Sequence, residues 1–307
     1  MNYVKLIAPA KINLVLAIGK RLPDGYHEAH TILHALSLHD TLEIRRTEPG
    51  YETDSAGLSI TLTCDTTNTV EDLAIAPEDN IVFQAAMKLA DALGRTEREE
   101  IRIALTKQIP HEAGLGGGSS DAAATLKGLA CLWGIDLDDP VLVEVAASLG
   151  ADVPFFLYGG CAYLNGRGDN FVHALEPRKG FLALVRPEGD GVSTGEAYRR
   201  FDESPEYPSP AFIEELTTYA SASDVPLWNN LTPAAITIKP ELQAVFDLLE
   251  RSSEAQAMVL CGSGSAVAAL CDDYESAAAL SLAARKAGHY SRVTSFASLG
   301  AEVLKKY

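Results

Sequence analysis

Residues 110–124 read PHEAGLGGGSSDAAA. Gly114, Gly116, Gly117 and Gly118 crowd a short loop, and Ser119, Ser120 and Asp121 follow before an alanine-rich run. Glycine tolerates positive φ and lets backbone approach a ligand closely. Successive N–H groups in such a turn form an anion-binding nest, and the N-terminus of a following helix adds the positive end of its dipole. The stretch therefore predicts a phosphate cradle, and with it a nucleotide. It is not the P-loop, which requires G-x-x-x-x-G-K-[ST], because Ser119 stands where that Lys belongs. It does not fit G-x-G-x-x-G either. A Gly/Ser linker would be longer and would not run straight into AAATLKGLACLW.

The 307 residues suit two domains of roughly 150 each. A hydrophobic content of 47% is enough for a well-filled core. The net charge of −17 argues against nucleic acid or an anionic membrane as partner, since those need a basic footprint. Any phosphate site must then be local, built from backbone N–H groups, a few Lys or Arg and a divalent cation. The cysteines (Cys64, Cys131, Cys161, Cys261, Cys271) show no C-x-x-C or metal-ligand spacing and read as reduced thiols. The start, MNYVKLIAPAKINLV, lacks the build of a signal peptide. The most apolar stretch, AMVLCGSGSAVAALC, has 15 residues and is broken by Gly and Ser, too short to span a bilayer. A soluble cytoplasmic protein is expected, as a monomer or homodimer.

Patterning predicts strands over 3–8, 12–18, 42–46, 58–64 and 101–107, and a helix over 80–93. Ser119, Ser120 or Asp121 can cap a helix running to about Trp133, and a second helix ends at Gly150. ADVPFFLYGGCAYLN reads as a return to extended structure, and RVTSFAS as the last strand. In the second half AMVLCGSGSAVAALC reads as two buried strands hinged on a Gly/Ser turn, among amphipathic helices. Hairpins and helices in runs indicate α+β rather than a doubly wound sheet. The domain boundary falls near 165–180, giving domains over 1–170 and 171–307.

Four further features can carry chemistry. Lys11 interrupts an apolar strand start in PAKINL; it snorkels to the surface or faces a charged site. Asp152, in GADVPFF, is a turn residue or a positioned carboxylate. Asp24-Gly25-Tyr26-His27 is a D-G turn, or an aromatic face beside a ring that donates and accepts hydrogen bonds. Gly262, Ser263 and Gly264, in CGSGS, form a tight turn or a second N–H cluster for an anion.

Together these features resemble the GHMP kinases, the family of galactokinase, homoserine kinase, mevalonate kinase and phosphomevalonate kinase. That family carries three motifs in order, matched here by PAKINL at 9–14, PHEAGLGGGSSDAAA at 110–124 and CGSGSAVAA at 261–269. The resemblance spans the whole chain. It implies an α+β, two-domain GHMP kinase fold, with a ribosomal protein S5 domain 2-like N-terminal domain and a ferredoxin-like C-terminal domain. It also implies ATP and Mg²⁺, and phosphoryl transfer to a small-molecule alcohol. The DGYH element, the three consecutive glycines and LGADVPFFLYGG match members whose acceptor is the erythritol part of a cytidine-diphosphate substrate of isoprenoid synthesis. The alternative is a homoserine or mevalonate kinase.

By the same resemblance Asp152 takes the proton of the acceptor hydroxyl and Lys11 stabilises its oxygen. Pro110, His111, Glu112, Ala113, Gly114, Leu115, Gly116, Gly117, Gly118, Ser119 and Ser120 wrap the ATP phosphates, with Ser119 or Ser120 (Ser120 by preference) on Mg²⁺. Lys107 and Asn80 lie near the adenosine end. Asn13, Tyr26, His27 and Tyr198 hold the substrate, Tyr26 stacking on cytosine and His27 reading its edge, with Gly262, Ser263 and Gly264 beside them. Two departures stand out: the third motif has GSGSA where GSGPT is usual, and His111 and Glu112 sit inside the phosphate loop.

Overall fold

The computed structural model describes residues 1–47, 58–67, 75–96 and 98–307. The first two strands are long: β1 (Tyr3–Arg21) and β2 (His27–Thr47) pair antiparallel across the turn that holds Asp24 and Gly25. The two strands predicted over 3–18 are therefore one. Pro9 lies inside it next to a break in the β1–β2 register between Pro9 and Lys11, the kind of site where a strand tolerates proline. A second break between Asn13 and Val15 brackets Lys11 and Asn13. Bulges of this kind re-aim side chains.

β3 (Leu58–Thr66) and β4 (Glu99–Lys107) run parallel, connected through α1 (Ile81–Ala92). The glycine loop follows β4 and leads into α2 (Gly117–Trp133), then α3 (Pro140–Leu149) and α4 (Val153–Tyr158). β5 (Cys161–Asn165) and β6 (Asn170–Leu175) extend the sheet from β2. α4 corrects the extended structure expected over ADVPFF. Pro154 suits the first helical turn, and six residues are too few to display helical periodicity.

The second sheet contains β7 (Phe181–Arg186), β9 (Ala257–Leu260), β10 (Val267–Cys271) and β11 (Tyr290–Ser295), in the antiparallel order β11-β7-β10-β9. Helices α5 (Thr194–Glu203), α6 (Pro210–Leu216), α7 (Thr232–Ile238), α8 (Glu241–Glu250) and α9 (Tyr274–Lys286) accompany it. Two strands cross back to the first sheet. β8 (Trp228–Asn229) pairs parallel with β1, and β12 (Glu302–Lys306) pairs antiparallel with its start. β12, not RVTSFAS, is the last strand.

Among the described residues the core has four parts, the smallest of which joins Leu16 and Ile18 to Phe201 and Leu231. Leu6, Leu42 and Ile44 on one face of the first sheet pack with Val82, Leu126 and Phe155 of its helices. Ile12, Ile32 and Leu36 pack with Leu184, Val259 and Ala268 of the second sheet and with Ile109 and Leu115 at the glycine loop. Val185 and Val267 pack with Leu242, Val245 and Leu280 of the outer helices. The middle cluster locks the two sheets together and seats the glycine loop between them. No helix among the described residues is long and apolar enough to cross a membrane.

Candidate active site

A cavity of 530 Å³ opens along the glycine loop. Its wall takes loop residues 110–119, Lys11 and Asn13 from β1, Thr31 from β2, Asp152, Tyr198 from α5, and Gly262, Ser263 and Gly264.

Alternation along β1 puts Lys11 and Asn13 on one face. The Lys11 Nζ donates to Asn13 Oδ1 at 2.8 Å and lies 3.2 Å from Asp152 Oδ2. The ammonium is buried, whereas the Asp152 side chain keeps 34% of its exposure. Asp152 occupies the N-cap position of α4 without making a capping bond, so its carboxylate is not consumed by the helix. This pair unites the two residues that sequence alone left without partners.

The loop's glycines have specific causes. Gly114 has φ 73°, and a Cβ there would lie 1.7 Å from the carbonyl oxygen of Cys261. Gly116, at φ 71°, caps α2, and a Cβ would approach Lys11 Cγ to 2.9 Å. The helix thus starts at Gly117, within the glycine run, rather than after the serines. The Lys11 N–H also donates to Leu115 O at 2.9 Å, tying β1 to the loop.

The third motif is not an open nest of N–H donors. Gly262 N–H donates to Asn13 Oδ1 (3.1 Å), Gly264 N–H to Cys261 O (2.8 Å) and Ser265 N–H to Glu112 O (3.1 Å). Asn229 Nδ2 donates to Leu260 O and Gly262 O, clamping the turn from β8. Three N–H groups that could have met an anion instead bind the turn itself, the glycine loop and the Lys11 neighbour. Glu112 has φ 47° and His111 lies beside it, Nε2 to Oε1 3.8 Å, both side chains substantially exposed. Buried Arg186 holds His111 O from behind at 2.9 Å.

Lys107 lines the cavity but is gripped by two carboxylates. Its ammonium bonds Asp40 and, at 2.6 Å, Asp121 Oδ2. Asp40 Oδ1 also accepts the N–H groups of Gln108 (2.5 Å) and Ile109 (2.9 Å). Burial pushes the Asp121 carboxyl up to about 8, with Asp40 adding to the rise and Lys107 opposing it. The two carboxylates hold the Lys107 ammonium charged, above its ordinary range, against the effect of burial.

Other expected residues stand further off. Asn80 accepts the Val82 N–H at 2.9 Å and caps α1; its neighbour Ile81, not Asn80 itself, lines the cavity. Ser119 lines the cavity, whereas Ser120 is fully buried outside its wall with its hydroxyl unpartnered. The placement leaves Ser119, not Ser120, as the hydroxyl on the cavity wall. Tyr26 is 59% exposed, with the Arg167 guanidinium 4.9 Å above its ring. His27 is buried, its Nε2 2.7 Å from Asp202 Oδ1 and its ring 5.1 Å from that of Tyr198. Burial, and then the charge of Asp152, push the Tyr198 phenol up. Thr31, Arg167, Gly168 and Thr194 also line the cavity, although no motif marked them. The D-G-Y-H turn and the Gly-x-Gly at 166–168 offered the available hints.

The family model for the GHMP kinases N terminal domain matches residues 80–160, and that for GHMP kinases C terminal matches 211–289. The chain belongs to the GHMP kinase family, and its two-sheet architecture is that family's α+β fold. Its relatives include 4-diphosphocytidyl-2-C-methyl-D-erythritol kinase of Rhodococcus jostii (strain RHA1), 38% identical over 291 residues, covering 92% of this chain and 88% of the relative. The protein of that name from Desulfitobacterium hafniense (strain Y51) is 34% identical, covering 95% and 96%. A crystal structure of 4-(cytidine 5'-diphospho)-2C-methyl-D-erythritol kinase superposes with a TM-score of 0.72 at 32% identity, covering 95% of this chain and 98% of that one. Homoserine kinase from Cytophaga hutchinsonii shares the fold, at TM-score 0.68 and 19% identity.

Proposed function

We propose that this chain is an ATP-dependent kinase that phosphorylates the 2-hydroxyl of 4-diphosphocytidyl-2-C-methyl-D-erythritol, in the non-mevalonate route to isoprenoid precursors. The observation that carries the chemistry is the Lys11–Asp152 pair, 3.2 Å apart on the wall of a cavity shared with the glycine loop. The partly exposed Asp152 carboxylate accepts the hydroxyl proton. The hydroxyl oxygen attacks the γ-phosphorus, the bond from that phosphorus to the β,γ-bridging oxygen breaks, and ADP leaves. Lys11 stabilises the oxygen as its proton departs. Phosphoryl transfer needs mainly alignment and charge stabilisation, which the N-terminal turn of α2 and the glycine loop supply to the phosphates.

Mg²⁺ takes few protein ligands when phosphates provide the rest. The donors present fit that pattern: the cavity wall offers the Ser119 hydroxyl and the Asp152 carboxylate. The ion would be held by Ser119 and phosphate oxygens and would neutralise phosphate charge.

The direct test is ATP consumption with the cytidylyl substrate against mevalonate, homoserine and galactose. Turnover with the cytidylyl substrate alone is expected; preference for another alcohol overturns the reading. Base–aromatic stacking is worth about 1–3 kcal/mol, so Tyr26→Ala should raise KM for the cytidylyl substrate roughly tenfold and leave KM for ATP within about twofold. Equal changes in both would exclude stacking on the base.

A further inference from the structure

Asn13, expected to bind substrate, makes three hydrogen bonds within the protein. Its Oδ1 accepts from Lys11 Nζ at 2.8 Å and from Gly262 N–H at 3.1 Å, and its Nδ2 donates to Thr31 Oγ1 at 2.9 Å. Thr31 in turn donates its single hydroxyl proton to Val15 O at 2.7 Å. Lys11, Asn13 and Thr31 are 4%, 3% and 2% exposed, so water cannot readily replace any link.

The direction of this chain is fixed. An ammonium and a backbone N–H are donors only, so the amide must turn its oxygen to both. The amide nitrogen then needs an acceptor, and Thr31 Oγ1 is that acceptor because its own proton is committed to Val15. Reversing the amide would face donor to donor at Lys11 and Gly262, and acceptor to acceptor at Thr31.

We propose that Thr31 is a positioning residue for phosphoryl transfer. Its oxygen orients the Asn13 amide, which in turn aims the Lys11 ammonium and joins it to the third motif. One ammonium proton goes to Asn13 and one to Asp152, which leaves the third for the reacting oxygen. This inference rests on the proposed role of Lys11. It assigns function to a residue twenty positions from Lys11 that lies in none of the three motifs.

The test compares Thr31→Val, which keeps shape and removes the oxygen, with Thr31→Ser, which keeps the oxygen. Losing a buried acceptor should lower kcat about 10–100-fold in Thr31→Val, with both KM values within about twofold. Thr31→Ser should recover most of the loss. Turnover near wild type in Thr31→Val overturns the proposal, as does an equal loss in both variants, which would indicate packing alone. Should Thr31→Val melt well below wild type, Thr31→Ala, free of any added bulk, must reproduce the kcat loss; normal kcat there overturns the proposal equally. A second readout needs no substrate. The ¹⁵N ammonium signal of Lys11, assigned by its disappearance in Lys11→Met, should be protected from exchange in wild type and broadened in Thr31→Val. An unchanged signal counts against the relay, whereas wild-type inactivity on the cytidylyl substrate with a Thr31-sensitive signal counts against the substrate reading alone.

Discussion

Lys11 and Lys107 line the same cavity and each meets carboxylates, yet their surroundings differ. Lys11 faces Asp152, whose side chain is 34% exposed, and an amide that carries no charge. Lys107 faces Asp40 and Asp121, which are 0% and 3% exposed. Strongly perturbed titration often marks a catalytic group. Here a strongly raised carboxyl belongs to the sealed cluster, whereas the pair proposed to carry the chemistry is the more open one. What separates them is whether a carboxylate oxygen can reach a ligand.

The largest expected effect is therefore Asp152→Asn. General-base assistance is worth about 10²–10⁴-fold, and kcat should fall by that order. ATP affinity, measured by calorimetry, should stay near wild type. Near-normal turnover in this variant would move the chemistry away from the pair.

Asp40→Ala should do the reverse. It leaves the Lys107 ammonium with Asp121 alone and strands the N–H groups of Gln108 and Ile109 at the entrance to the glycine loop. Removing one member of a buried ion cluster costs about 3–5 kcal/mol, which urea unfolding can measure. Stability within about 1 kcal/mol of wild type would show that the cluster is not structural and would break the contrast with Lys11.

The same contrast explains what could be read from the chain. The glycine loop was legible because positive φ and close approach are local demands, and Gly114 and Gly116 meet them. The α+β class followed from periodicity. The Lys11–Asp152 pairing was reached only through family resemblance, since 141 positions separate the two in sequence. Asp40, 67 positions from Lys107, carried no local mark at all. Lys107 was therefore expected near adenosine, without the two carboxylates that hold it. The third motif left a tight turn and an anion nest both open, because a Gly/Ser turn does not reveal where its N–H groups point. In the fold they go to Asn13, Cys261 and Glu112.

The subtlest expectation concerns the proton that the sealed cluster retains. Two carboxylates share one ammonium, so full ionisation would leave a net negative charge buried beside the phosphate loop. Burial raises the Asp121 carboxyl from 3.8 to about 8, with Asp40 reinforcing the rise, and the folded protein thus binds a proton there that the unfolded chain releases. The folded state then holds more protons between those values, so stability falls as pH rises through that window. Below it both states are protonated, and the contribution is fully present. Asp121→Asn replaces the neutral acid with a neutral amide and removes this titration. Denaturant unfolding from pH 5 to pH 8.5 should show wild type losing stability relative to Asp121→Asn as pH rises (roughly the span of the shifted titration). Parallel curves would mean that both carboxylates stay ionised around Lys107, and that the sealed cluster tolerates its surplus charge as readily as the open pair does.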